Sequence, residues 1–435
     1  MSNRYKSWGY TPDVQQAAIV PAWQSQVSFD EGHSYLPFGN GLSYGDSCLN
    51  SSGVVLDGQY QNHIIDFDTE AGTITCESGV TFAELIDVCV RRGWFLPVSP
   101  GTRFVTVGGA IANDVHGKNH HKRGTFGCHV IEMEILRTDG GCTYCSPTEN
   151  TELFNATIGG LGLTGFVSWA KFSLIPVKSG LMSVETLPFR SLDEFYEISC
   201  AKKDAFEYSV AWLDCAASGD SFGRGIFYGA NHGETQSTDL DQFKLAKPGL
   251  SIPCNFPSSL LSPIFVKTFN AVYFQKHRRA ARHSTASMGS YFYPLDNLRN
   301  WNRIYGRRGF FQYQFVVPLD GQQHLKSILE IIISSRSASF LAVLKEFGSV
   351  PSPGFLSFPK PGYCLALDFP NKGKITEKLI ASLDLIVREA GGSVYPAKDR
   401  LMSAESFKQY YPMHRDFSNM IDPGMSSDFW RLVSS

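Results

Sequence analysis

Three glycine-dense stretches in the first 165 residues constrain this chain more than any other feature. The first is Gly39-Asn40-Gly41-Leu42-Ser43-Tyr44-Gly45-Asp46. Glycine adopts backbone conformations closed to other residues, and alternating glycines let successive N–H groups turn toward one anion, a nest for phosphate. The stretch is not G-x-G-x-x-G and no βαβ unit follows it, so a Rossmann site is excluded, although a plain surface turn would also fit. The second stretch is PGTRFVTVGGA (100–110), running into NDVHGKNHH (113–121). Its glycine pairs would bring backbone against a flat or extended ligand. The third, Gly159-Gly160-Leu161-Gly162-Leu163-Thr164-Gly165, is a loop entering a strand.

The segments between these loops predict an α+β fold. Short β-rich runs lie at 53–58, 63–68 and 73–77. Residues 81–93 place Phe82, Leu85, Ile86, Cys89 and Val90 at helical spacing, with Thr81 as N-cap, Glu84 three residues on and Gly93 as the stop. A hairpin spans 130–146 around Asp139-Gly140-Gly141, a short helix covers 151–157, and Gly165–Pro176 is a strand. The pattern changes near 178. Beyond it, aromatic-rich strands (185–191, 310–318, 364–370) alternate with amphipathic helices at 324–337 and 375–392, as in an antiparallel sheet with helices on one face. The tail returns to short polar and aromatic segments. We therefore expect two domains, the first at 1–178, the second at 179–393, with a C-terminal segment 394–435.

Composition narrows the function. Lys+Arg 39 against Asp+Glu 41 leaves a net charge of −2, without the basic excess that binding nucleic-acid phosphates demands. Of ten cysteines only Cys142 and Cys145 lie close together, with no second pair or nearby His to complete a zinc site. The adjacent His120 and His121 diverge on any regular element, so with His116 they are not read as a metal site. The N-terminus has no continuous apolar core of a signal peptide, and no run reaches ~18 apolar residues. The chain reads as cytoplasmic, at most peripheral to a membrane.

The motifs GLSYGD, PGTRFVTVGGAIANDVHGKNHH and ELFNATIGGLGLTG, in this order, resemble the vanillyl-alcohol oxidase / p-cresol methylhydroxylase superfamily of FAD proteins. The likeness is closest to sugar 2′-oxidases that serve as the flavin subunit of an epimerase system. It continues through YSVAWLDC (208–215), YPLDNLRNWNRIYG (293–306), GFFQYQFVVP (309–318), FPKPGYCLALDFP (358–370) and VYPAKDR (394–400).

The resemblance implies a PCMH-type fold in which 1–178 and the C-terminal segment bind FAD and 179–393 caps the flavin. The pyrophosphate would lie on Gly39, Asn40, Gly41, Leu42 and Ser43. Tyr44, Gly101, Thr102, Thr106, Val107, Gly108, Gly109, Asn113, His116, Gly117, Val167 and Tyr395 would line the rest. Relatives that tether the flavin do so through a His at the position of Leu42, or add a Cys at that of Phe104, so non-covalent FAD is expected. Oxidation of an alcohol by hydride transfer to flavin N5 would involve Lys398, Tyr44, His116 and Gln314. Lys398 would stabilise charge on the reduced flavin, while His116 would orient rather than act as base. Gln314, Lys345, Cys364 and Lys398 would meet the substrate.

The implied substrate is a sugar hydroxyl, on a polyprenyl-phosphate-linked pentose, with a short-chain NAD(P)H-dependent reductase completing the epimerisation. An aldonolactone or alditol oxidase, or a flavin-binding protein without turnover, remain alternatives. Three departures from the family fall on the substrate side or at the chain end. Ala366 stands where relatives carry a flavin-facing cysteine, Phe292 replaces a tyrosine before YPLD, and the tail 422–432 is short.

Overall fold

A computed structural model describes residues 5–21, 27–30, 32–234, 240, 243, 245, 249–257, 261–279, 282–337 and 339–435. The first four residues of the stretch read as lacking a signal peptide lie outside the described residues. Among the described residues, three sheets of three or more strands organise the chain. The smallest contains β1 (Ala17–Ile19), β2 (Tyr35–Phe38) and β3 (Val54–Asp57) in the order β1-β3-β2, and its pairings are parallel. This parallel sheet departs from the sequence reading, because its paired strands lie far apart in the chain and the sequence between them carries no periodic signal.

The second sheet holds β4 (Ile64–Asp68), β5 (Thr73–Glu77), β6 (Val130–Leu136), β7 (Cys142–Cys145) and β8 (Phe166–Ser173) in the antiparallel order β4-β5-β8-β6-β7. Helix α1 (Phe82–Cys89) follows β5 as expected. The Thr81 side chain accepts from Glu84 N while the Glu84 carboxylate accepts from Thr81 N, and Phe82, Leu85, Ile86 and Cys89 are buried. Gly93, at φ 78, takes the left-handed conformation that stops the segment. Helix α2 (Val107–Ala112) starts where the Thr106 hydroxyl accepts from Gly109 N.

The third sheet has eight strands: β9 (Leu181–Phe189), β10 (Tyr208–Leu213), β11 (Gly225–His232), β12 (His283–Ser287), β13 (Phe310–Val317), β14 (Ala342–Phe347), β15 (Gly362–Pro370) and β16 (Ser393–Val394). Their order is β12-β9-β11-β10-β14-β15-β13-β16, antiparallel throughout. Strand side chains alternate between faces. Tyr313, Phe315, Val317, Leu365, Leu367 and Phe369 therefore enter one core cluster with residues of α4 (Gln322–Ser334) and α5 (Lys374–Glu389). Gln312, Gln314, Cys364 and Ala366 turn to the opposite face, toward a cavity.

One helix departs from the expectation that helices cover a single face. α3 (Pro263–Arg278) packs Phe274 with Trp212 and Ile226 on the cavity side of this sheet. The tail is also more regular than its composition suggests, forming α6 (Ala404–Tyr410), α7 (His414–Met420) and α8 (Asp428–Val433). It returns to the first sheet, where Tyr35 N donates to Gly424 O and Ser426 N to Tyr35 O.

Candidate active site

A cavity of about 1410 Å³ lies between the glycine loops and the open face of the eight-stranded sheet. It exceeds the ~300–1,000 Å³ of an ordinary small-molecule pocket and leaves room for a large cofactor beside a second ligand. One wall carries Gly39, Asn40, Gly41, Leu42 and Ser43 from the first loop, and Gly101, Thr102, Thr106, Gly108, Gly109, Asn113 and His116 from the second, with Val167 from β8. The other wall carries Gln314, Lys345, Cys364, Tyr395 and Lys398, with Tyr44 between them. Two expected residues stand elsewhere. Val107 is buried in the apolar core, and Gly117 sits behind the wall, where a Cβ would come 2.7 Å from Asn119 Oδ1.

The nest is held by contacts that a side chain would destroy. A Cβ on Gly39 would meet Thr106 Oγ1 at 2.5 Å, and Gly41 has φ +61. Asn40 Nδ2 donates to Phe104 O at 2.7 Å, tying the first loop to the second. The second loop is anchored by Asp114, at φ 40, whose carboxylate accepts from Gly127 N at 2.9 Å and from Ser352 and Ser357 Oγ at 2.6 Å each. Tyr395 OH donates to Asn113 O at 2.6 Å, bringing the tail onto the same loop.

Three of the expected polar residues form one contact chain. Gln314 Nε2 donates to His116 Nε2 at 2.7 Å and to Cys364 Sγ at 3.3 Å. Phe347, Phe358 and Tyr395 enclose the imidazole, and burial, with Lys345 adding to it, holds its pKa well below the usual range, so the ring is neutral. A neutral ring held this way fits an orienting role. Cys364 and Ala366 share the cavity face, as strand alternation requires. Burial pushes the Cys364 thiol up to about 11, against the pull of Lys345, so it stays protonated at neutral pH.

Lys398 Nζ lies 3.8 Å over the Tyr44 ring, and Tyr44 N donates to Ala397 O at 2.9 Å. Burial pushes Lys398 down to about 7, while the Asp368 carboxylate pulls it up and Lys345 lowers it further. Asp368 Oδ1 accepts from Gln312 Nε2 at 2.6 Å, and Oδ2 from Tyr305 OH at 3.3 Å. Burial drives that carboxyl up to about 7 despite these bonds.

Sequence reasoning missed Lys118 and Asp368. Lys118 lies two residues past His116 in the second loop. Its ammonium donates to Tyr291 O and sits 4.2 Å over the Tyr291 ring, and burial lowers its pKa to about 7. The spacing to His116 was the one available signal. Asp368 sits four residues after Cys364 and two after Ala366, on the same alternating face, and that period was legible.

Lys118, Lys345 and Lys398, each half-buried, thus bring three amines to one cavity, and loss of hydration lowers the pKa of each. Cations withdrawn from water are costly unless an anion meets them, so these amines, together with the backbone nest, fit a ligand set carrying phosphate groups. FAD, with its pyrophosphate, fits the nest.

Residues 25–146 match the FAD binding domain family. This match, with the whole-length relative that follows, makes the chain an FAD-dependent oxidoreductase that acts on a CH–OH group, with the α+β PCMH-type FAD-binding fold. The chain is 34% identical over 431 residues to decaprenylphosphoryl-beta-D-ribose oxidase of Mycolicibacterium smegmatis, covering 94% of this chain and 92% of that protein. It belongs to the family of that oxidase. It is also 31% identical over 368 residues to an uncharacterized protein in the mprA 5′ region of Streptomyces coelicolor, covering 81% of this chain and 100% of that one. Human Delta(24)-sterol reductase matches at 32% over 139 residues, covering 32% of this chain and 26% of that protein. Among the described residues no helix is long and apolar enough to cross a membrane.

Leu42 and Phe104 both line the cavity, and neither offers a nucleophile to the flavin. Acid precipitation of the holoenzyme should therefore leave yellow flavin in the supernatant. Flavin retained in the pellet would refute this.

Proposed function

We propose that this enzyme oxidises the 2′-hydroxyl of a polyprenyl-phosphate-linked pentose to a 2′-ketone, the first half of an epimerisation. The observation that carries the reading is the three half-buried amines, Lys118, Lys345 and Lys398, that share a cavity with the polar strand residues Gln312 and Gln314, in a chain related over nearly its whole length to an oxidase of a phosphoryl-linked ribose. We assign FAD binding to 1–178 with 394–435, and the substrate cap to 179–393. FAD held there would supply the acceptor for the hydride leaving the alcohol carbon, and the hydroxyl proton would be released to water in the open cavity.

In this reading the nest Gly39–Ser43 holds the pyrophosphate, and the second loop, Val167 and Tyr395 hold the rest of the cofactor. Gln314, oriented by His116, and Lys398, propped on Tyr44, hold the sugar hydroxyl. Lys398 in its charged form stabilises the negative charge that develops opposite the reacting carbon. Lys345 meets the sugar or its phosphate, and Cys364 packs beside it as a protonated thiol. The product is a ketone, so a separate short-chain reductase using NAD(P)H would consume it. A lipid-linked substrate would also bring the enzyme to a membrane surface as a peripheral protein.

Anaerobic bleaching of the flavin absorbance tests this reading. A polyprenyl-phosphate pentose should bleach it at concentrations where free polyols do not. Equal bleaching by free polyols would favour an alditol oxidase instead, and no bleaching by any sugar would mark a flavin-binding protein without turnover.

The pH profile tests the Lys398–Asp368 pair. Lys398 is charged below about 7 and neutral above it, so the rate of flavin reduction should fall as pH rises through that region. Asp368→Asn removes the negative neighbour that holds the proton on Lys398. The fall should then move to lower pH. A profile identical to that of the parent would show that the carboxyl does not act through Lys398.

A further inference from the structure

Helix α3 carries exposed apolar side chains, Ile264, Phe265 and Val272, beyond those that line the cavity. Ser262 caps it by accepting from Phe265 N, and Val266, Asn270 and Phe274 are buried beneath it. At 16 residues it is about 24 Å long. On its outward side Ile264 is 80% exposed, Val272 64%, Phe265 43% and Phe269 40%. Phe265, Phe269, Tyr273 and His277, each four residues apart, stack in sequence with ring centroids 6.4, 6.2 and 4.2 Å apart. Phe269, Tyr273 and His277 also line the cavity, so this aromatic ladder leads from the outer surface to the cavity. Leu250, 74% exposed, lies on a two-residue strand paired with Leu298–Arg299, and both of those residues line the same cavity.

The charge on this segment has one sign. Residues 263–282 carry Lys267, Lys276, Arg278, Arg279 and Arg282 and no Asp or Glu, in a chain whose net charge is −2. Lys267, Lys276, Arg278 and Arg279 are exposed. Single exposed apolar residues are ordinary, but an apolar stripe flanked by cations on one helix is the pattern of a helix lying in a lipid headgroup layer.

We propose that α3 docks the enzyme on an anionic lipid bilayer, with its apolar stripe in the headgroup layer and the ladder facing the cavity mouth. Charge complementarity favours lipid over a second copy of this chain, because a two-fold contact through α3 would set its cations against their own images. The inference deepens the proposed function and rests on it for its purpose, since a lipid-linked substrate could reach the cavity without leaving the bilayer. Vesicle binding is read without substrate, so the docking surface and the sugar chemistry can fail separately.

The test is flotation of the holoenzyme with vesicles of phosphatidylcholine, with and without phosphatidylglycerol. Anionic vesicles should bind at least about tenfold more tightly, and added salt should weaken the binding. Ile264→Ser with Val272→Ser should reduce binding about tenfold or more while leaving the flavin spectrum and thermal unfolding unchanged. Lys276→Glu with Arg278→Glu should remove the preference for anionic lipid. Equal binding to both vesicle types, or serine variants that float like the parent, would overturn the proposal. So would light scattering that shows a dimer which the serine variants dissolve, because the stripe would then be covered by a second copy.

Discussion

Replacing Lys398 by alanine should leave FAD bound and slow its anaerobic reduction by substrate about 10²–10³-fold. The size follows from the setting. Lys398 is half-buried in the cavity wall on the face of Tyr44, and one preorganised contact to developing charge in such a site is worth about 2.7–4 kcal/mol. FAD should stay because the nest is made of backbone amides from a different part of the chain. Lys398→Met keeps most of the stem on the Tyr44 ring and removes only the charge. If it is as slow as the alanine variant, the ammonium is responsible rather than packing. The measurement is the single-turnover rate by stopped-flow absorbance. A Lys398→Ala enzyme reducing within a factor of two of the parent would remove Lys398 from the chemistry.

Gly45→Ala should cost about 3 kcal/mol or more and release FAD. A Cβ there would lie 1.8 Å from Asp399 O, 2.6 Å from Asp399 C and 3.1 Å from Arg400 N. These are backbone atoms of the turn that carries Lys398, so relief requires moving the tail off the first loop rather than turning one side chain. Asp399 also holds that turn, its carboxylate accepting from Met402 N at 2.6 Å. Gly249→Ala is the control, because among the described residues nothing lies within 4 Å of the Cβ it would add. Thermal unfolding and the ratio of flavin to protein absorbance report both effects. A Gly45→Ala protein with the parent's melting temperature and full flavin would refute the close approach.

Local signals in the sequence determined much of this protein. The capping box at Thr81 and Glu84 marked α1 because both partners lie within one turn. The alternation of Gln312 and Gln314 put both on one strand face because the period of a strand is two. The three glycine loops marked the walls of the cavity because only glycine permits such close backbone approach, and the same loops carried the likeness to FAD proteins. Only the tertiary structure decided the electrostatics. Lys118, Lys345 and Lys398 come from a loop, a strand and the tail, distant in the chain, and their charges interact only once the sheet closes over the loops. Asp368 and Lys398 are coupled for the same reason. The parallel pairing of β1 with β3, the tail helices against the first sheet and the outward stripe of α3 likewise depend on partners distant in the chain. A residue's neighbours along the chain set its conformation, but its burial, and with it the cost of its charge, is set by whatever the fold brings against it.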